Sequence, residues 1–90
     1  MEISIKCINN MASIYLMLAY TDKALDLLYQ SLNIRLSYKN SNQSLYQIAC
    51  ILLNLSFGYK QLGDYSRSKV LIKKSILFLE EIDKRLHKNP

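Results

Sequence analysis

Residues 44 apart in this chain match in identity or size class at twelve positions spread from Ile8 to Leu32 and again from Leu52 to Ile76. A period of that size constrains the fold more than any single motif, because each copy must be one supersecondary unit that packs on its neighbour. The offset superposes Asn10 on Asn54, Tyr15 on Tyr59, Leu18 on Leu62, Leu27 on Leu71 and Ser31 on Ser75. It sets small on small (Ala12 on Ser56, Ala19 on Gly63, Ala24 on Ser68) and apolar on apolar (Ile8 on Leu52, Met11 on Leu55, Leu28 on Ile72, Leu32 on Ile76). Matched size at matched positions predicts matched packing.

Within each copy the apolar spacing is helical. Ile8, Met11, Tyr15 and Leu18 step by three and four, as do Ile48, Ile51, Leu55, Tyr59 and Leu62, which is the stripe of a helix with one buried face. Ala24, Leu28 and Leu32 step by four, and Leu71, Ile72, Ser75, Ile76, Leu79, Ile82 and Leu86 form a wider stripe. No segment alternates with period two, so strands are not expected. Gly63 suits the left-handed close of a helix, and Asp64 suits the cap of the next. Ala19 and Tyr20 have neither property, so the first copy's cap is expected to shift to Thr21 or Asp22. Tyr38 to Ser44 is polar and turn-forming, and reads as the linker. The expectation is an all-α fold of four helices, near 3–19, 22–37, 44–62 and 65–87, arranged as two antiparallel hairpins (1–43 and 44–90) stacked as an α-solenoid.

Asn54-Leu55-Ser56, Tyr59, Leu62-Gly63-Asp64-Tyr65, Ser68 and Ser75-Ile76 together resemble the tetratricopeptide repeat signature. Asn10-Met11-Ala12, Tyr15, Ala24 and Ser31-Leu32 resemble it with less fidelity. The usual repeat spans about 34 residues. The longer offset here, with Ser31-Leu32-Asn33-Ile34-Arg35, is similar to the long-repeat variety found in kinesin light chain. Serine stands for the usual alanine at Ser31, Ser68 and Ser75, and the proline that usually ends each unit is absent. The signature has a physical basis: Ala12, Ala24, Ser56 and Ser68 fall where helices must approach to the usual 8 to 10 Å. Tyr15 and Tyr59 would fill the space between helices, with their hydroxyls on polar partners.

The resemblance implies that the first helix of each unit lines a concave groove. Its residues would be Lys6, Asn9, Asn10, Ser13 and Met17 from the first copy, with Leu53, Asn54, Phe57, Lys60 and Gln61 from the second. Asn10 and Asn54 stand out, since a primary amide both donates and accepts and so can grip a peptide backbone; the alternative is that they bond a neighbouring helix. Phe57 is an aromatic anchor for a partner or packs on a neighbouring repeat. The implied function is a non-catalytic module that binds a peptide or helix of another protein.

Other functions find less support. The most apolar stretch, Met11 to Tyr20, is about half of a bilayer span. Glu2, Lys6, Asn9 and Asn10 do not suit a secretory signal. Cys7 and Cys50 are too few for a disulfide framework or zinc cluster, which makes a reducing, cytoplasmic setting the default. Cys7 aligns with Ile51 and is expected in the core, whereas Cys50 aligns with Lys6 and is expected to be accessible. The one histidine, His87, lies near the end, and neither a phosphate loop nor a carboxylate cluster with ligand spacing is present, so no enzyme, cofactor, metal or small-molecule substrate is expected.

Formal charge is +5, and eight of the twelve basic residues fall between Lys60 and Lys88. A polyanion such as RNA, met by Arg67, Lys69, Lys73 and Lys74, is therefore the alternative partner. Glu80 with Lys84 and Glu81 with Arg85 nonetheless have the spacing of a solvated helix face. A third reading makes the chain a structural segment of a longer solenoid. Two units are fewer than such arrays usually need, and Ile72, Leu79, Ile82 and Leu86 would have little cover, so self-association through the last helix is a further expectation.

Overall fold

The computed structural model describes residues 5–38 and 41–87, with side chains from residue 7 onward. Four helices make up the described chain: α1 (Ile5–Met17), α2 (Thr21–Leu36), α3 (Asn42–Gln61) and α4 (Tyr65–Leu86). No strand occurs among the described residues. The expected first residues of α1, 3 and 4, lie outside them. Helix α1 packs on α2, α3 packs on α4, and both α1 and α2 pack on α3, whereas α4 touches no helix but α3. The molecule measures 47 × 37 × 19 Å, a slab about two helix diameters thick.

Both tight turns close by one hydrogen-bond scheme. In the second, Asp64 N donates to Tyr59 O (2.9 Å) and Gly63 N to Lys60 O (3.0 Å); in the first, Tyr20 N donates to Tyr15 O (2.8 Å) and Ala19 N to Leu16 O (3.0 Å). These are the paired bonds of a left-handed helix close. Gly63 takes φ +81° as its sequence predicts, and Ala19 takes φ +63° against its own preference. Asp64 caps α4 by accepting from Arg67 N at 3.1 Å. The expected shift of the first cap to Thr21 or Asp22 does not occur. Tyr20 occupies the cap position with no side-chain bond, because the turn repeats its partner's geometry.

The linker is shorter than its sequence suggests. Ser41 caps α3, its hydroxyl accepting from Ser44 N at 3.0 Å, so Asn42, Gln43 and Ser44 form the first turn of the helix. Arg35 of α2 reaches the Ser44 hydroxyl at 3.4 Å, and Arg85 of α4 donates to Asn42 Oδ1 at 3.4 Å.

The core joins Ala12 and Leu16 of α1, Ala24 and Leu28 of α2, Ile48, Ile51, Leu52, Leu55 and Tyr59 of α3, and Leu71 of α4. Each fully buried leucine or isoleucine in it contributes about 1.5–3 kcal/mol relative to exposure. The small residues Ala12, Ala24, Ser56 and Ser68 are all buried, as close helix approach requires. Ser75, also buried, donates to Ala49 O of α3 at 3.0 Å.

Two expected stripes are corrected. On α1 the covered edge is Ala12 and Leu16, while Met11 and Leu18 are exposed, since no described element lies on their side. On α4 the edge against α3 is Leu71, Ser75, Phe78 and Ile82, and Ile72, Ile76, Leu79 and Leu86 face outward. Cys7 was expected in the core and is exposed for the same reason: Ile51, its counterpart, is buried under the first hairpin, and no described helix covers Cys7. Cys50 is half-buried. Neither cysteine is in a disulfide.

Candidate functional site

The first helices of the two hairpins lie side by side, Ala12 and Leu16 of α1 joining the core with α3, and beside that apolar contact is a polar one. Asn54 Nδ2 of α3 donates to Asn9 Oδ1 (2.8 Å) and to Ser13 Oγ (3.2 Å) of α1. Ser13 Oγ in turn donates to Asn9 O one turn back, at 3.2 Å. This is the neighbouring-helix bond that was the alternative to ligand binding for Asn54. It uses the donors of Asn54 and one acceptor of Asn9, so the pair retains an acceptor, Asn54 Oδ1, and a donor, Asn9 Nδ2. Asn10, one residue on, is exposed.

Around this cluster the surface is apolar and open. Met17 is 82% exposed on α1, and Leu53 and Phe57 are 42% and 53% exposed on α3. Lys60 is exposed in the last turn of α3. The side chain of Lys6 lies outside the described residues. Gln61 is exposed but its amide is taken up by the first hairpin: its Nε2 donates to Leu16 O at 2.8 Å and its Oε1 accepts from Thr21 Oγ1 at 2.7 Å. Those bonds satisfy a carbonyl at the end of α1 and lock the first turn onto α3.

An open cavity of about 500 Å³ lies at the other end of the same face, lined by Asn9, Asn10, Gln43, Tyr46, Gln47, Cys50 and Ile51. A hydrogen bond with Cys50 raises the Tyr46 phenol above its ordinary pKa. Gln43, Tyr46 and Gln47 were not among the sequence candidates. Their signal was present, because 43, 46, 47, 50, 54 and 57 step by three and four along one face. Assigning Gln43 and Ser44 to the linker hid the first turn of that stripe.

The two signature tyrosines sit in related settings. Lys23 Nζ lies 5.9 Å from the Tyr15 ring centre, and Arg67, 44 residues later than Lys23, lies 5.0 Å from that of Tyr59. Tyr59 is buried and its hydroxyl pairs with that of Tyr29 at 2.7 Å. Tyr15 is half-buried against Tyr20, and no described residue meets its hydroxyl. Arg67 is further engaged by Asp64 at 3.6 Å. His87 ends α4, in contact with Asp83. Among the described residues no group of histidines, cysteines and carboxylates has the arrangement of a metal site, and no helix is long and apolar enough to cross a membrane. Comparison with protein-family models, with curated proteins and with solved structures finds no match to this chain.

Proposed function

We propose that the chain is a non-catalytic, tetratricopeptide-like interaction module whose two hairpins stack as a short α-solenoid, and that the α1/α3 face binds an extended peptide or a helix of another protein. The stacking is supported by the identical closing bonds of the two turns and by the seating of α1 and α2 on α3. One observation carries the binding reading. Asn54 is held rigid by Asn9 and Ser13 in the midst of exposed Met17, Leu53 and Phe57. A fixed donor and acceptor beside apolar side chains matches what a peptide offers, a backbone amide flanked by side chains. Asn9, Asn10, Ser13, Met17, Leu53, Asn54, Phe57 and Lys60 form this surface, Lys6 extends it by sequence position, and Gln61 supports it from within. Recognition of this kind needs no cofactor.

The test is a pull-down comparing wild type with a Leu53→Ser, Phe57→Ser variant and an Asn10→Ala, Asn54→Ala variant, each checked for an unchanged helical signal. Proteins captured by wild type and lost by both variants support the reading; equal capture by all three refutes it. Repeating the capture across a salt series separates the polyanion alternative, because phosphate contacts weaken steeply with ionic strength whereas an apolar anchor does not.

A further inference from the structure

The contact between the hairpins has a covering side and a covered side. Leu28 of α2, with the partly buried Leu25 and Leu32, shares one core with Ile51 and Leu55 of α3, on which α2 packs. Tyr29 meets Tyr59, and Leu25 Cδ2 comes within 2.8 Å of the point where a Cβ on Gly58 would sit. Moved 44 residues on, the covering positions Leu25, Leu28, Tyr29 and Leu32 become Lys69, Ile72, Lys73 and Ile76 of α4. Moved 44 back, the covered positions Ile51, Leu55, Gly58 and Tyr59 become Cys7, Met11, Ile14 and Tyr15 of α1. Ile72 and Ile76 are 39% and 46% exposed, and Met11 and Ile14 are 40% and 54% exposed. The molecule thus shows the two halves of its own internal contact on opposite ends.

We propose that a second copy of this chain docks head to tail, the Ile72–Ile76 face of α4 in one copy seating on the Met11–Ile14 face of α1 in the next. Residue pairs outside the apolar strip fit the same register. The internal Thr21–Gln61 hydrogen bond corresponds to Tyr65 against Met17, a polar pair replaced by two apolar, exposed side chains. The Tyr29–Tyr59 pair corresponds to Lys73 against Tyr15, where an ammonium can donate to a hydroxyl. The Leu25–Gly58 pair corresponds to Lys69 against Ile14, so a side chain is added where glycine left room and the flexible lysine must move away, which loosens the contact relative to the internal one.

Charge decides between partners of the same chain. The α4 face is flanked by Lys69, Lys73 and Lys74, so α4 on α4 would set lysine against lysine, whereas residues 7–17 of α1 carry no charge and the cation beside them, Lys23, lies over the Tyr15 ring. A head-to-tail contact is not self-complementary, and so produces an open series or a closed ring rather than a two-fold dimer.

The experiment is sedimentation velocity of the wild-type chain from low to high micromolar concentration, with two variants that each block one end: Met11→Lys, Ile14→Lys and Ile72→Lys, Ile76→Lys. All four positions are exposed, and circular dichroism checks that the helices persist. The expected result is a wild-type sedimentation coefficient that climbs with concentration past the dimer. Each variant alone stays monomeric, and their equimolar mixture forms a dimer and nothing larger. Wild type that is monomeric throughout overturns the proposal, as does either variant that still associates alone, or a mixture that stays monomeric. The Leu53→Ser, Phe57→Ser variant is expected to associate as wild type does, so loss of the peptide-binding reading and loss of this one are told apart.

Discussion

The turn at Leu18–Tyr20 and the turn at Leu62–Asp64 use the same closing bonds, yet only the second is made of residues suited to them. Gly63 and Asp64 supply a left-handed backbone without strain and a cap for α4, while Ala19 adopts the same conformation with a Cβ, and Tyr20 offers α2 no cap. A left-handed non-glycine residue costs about 1–2 kcal/mol. The first turn pays that because α1 and α2 must meet at Ala12 and Ala24, and because Gln61 and Thr21 tie the turn to α3 from outside. Local preference thus specifies the second turn, and packing imposes the first.

The same contrast runs through the helices, and the largest expected effect tests it there. Leu55 and Met11 hold equivalent places, but Leu55 is fully buried and Met11 is 40% exposed. Leu55→Ala is expected to lower the unfolding free energy by about 2–5 kcal/mol, whereas Met11→Ala in the dilute monomer costs under about 1 kcal/mol, since a cavity forms only where neighbours surround the side chain. Urea titration at low protein concentration measures both. Equal losses would mean that the two copies are covered alike.

At the turns, Gly63→Ala is expected to destabilise by about 1 kcal/mol although open space surrounds the position, because the strain lies in the backbone. Ala19→Gly is expected to stabilise by about 0.5–1 kcal/mol, the relief of strain being offset in part by the greater freedom of unfolded glycine. Thermal melting of both variants decides the matter, and two shifts of the same sign would break the comparison.

How much of this was legible in sequence follows the same division. Gly63, Asp64 and the serines and alanines at the helix crossings declare their roles by chemistry alone, so four helices and their close approaches could be read directly. The exposure of Met11, Leu18 and Cys7 could not, because a helical stripe records which side chains are apolar and not whether a neighbour exists to cover them. The bond from Asn54 to Asn9 and Ser13 was one of two readings open to an amide, and only the register of α1 against α3 chooses between them. Gln61 was placed on the face as a residue of the second unit's first helix. Its work on Leu16 and Thr21 depends on a contact between residues some 40 positions apart.

A smaller effect separates the two equivalent serines. Both Ser31 and Ser75 are fully buried, but Ser75 donates to Ala49 O, while Ser31 Oγ has no partner among the described residues. Forty-four residues before Ala49 stands Ile5, the first described residue of α1. Ser75→Ala should therefore cost about 1 kcal/mol, and Ser31→Ala should be neutral or stabilising by up to about 1 kcal/mol, since it removes a buried hydroxyl that makes no bond. The two variants compared by urea titration give opposite or clearly unequal shifts if the copies differ here as described.

The least of these effects concerns the tyrosines. Burial pushes the Tyr29 phenol up to about 12, the hydrogen bond and charge of Tyr59 add to the rise, and Arg67 opposes it. In the first copy no described residue plays the part of Tyr29 for Tyr15. A phenol raised in the folded state holds its proton there after the unfolded chain has lost it, so between pH 10 and about 12 the folded form binds more protons and stability falls as pH rises. Below pH 10 the contribution is fully present. Because Tyr29 is partly exposed, the slope is expected to be shallow, and it is isolated by difference: urea midpoints of wild type should drop more between pH 9 and about 11 than those of Tyr29→Phe. If instead Tyr29→Phe loses as much stability as wild type, the Tyr29–Tyr59 bond does not hold the proton, and the two tyrosine settings are closer to equal than their geometry indicates.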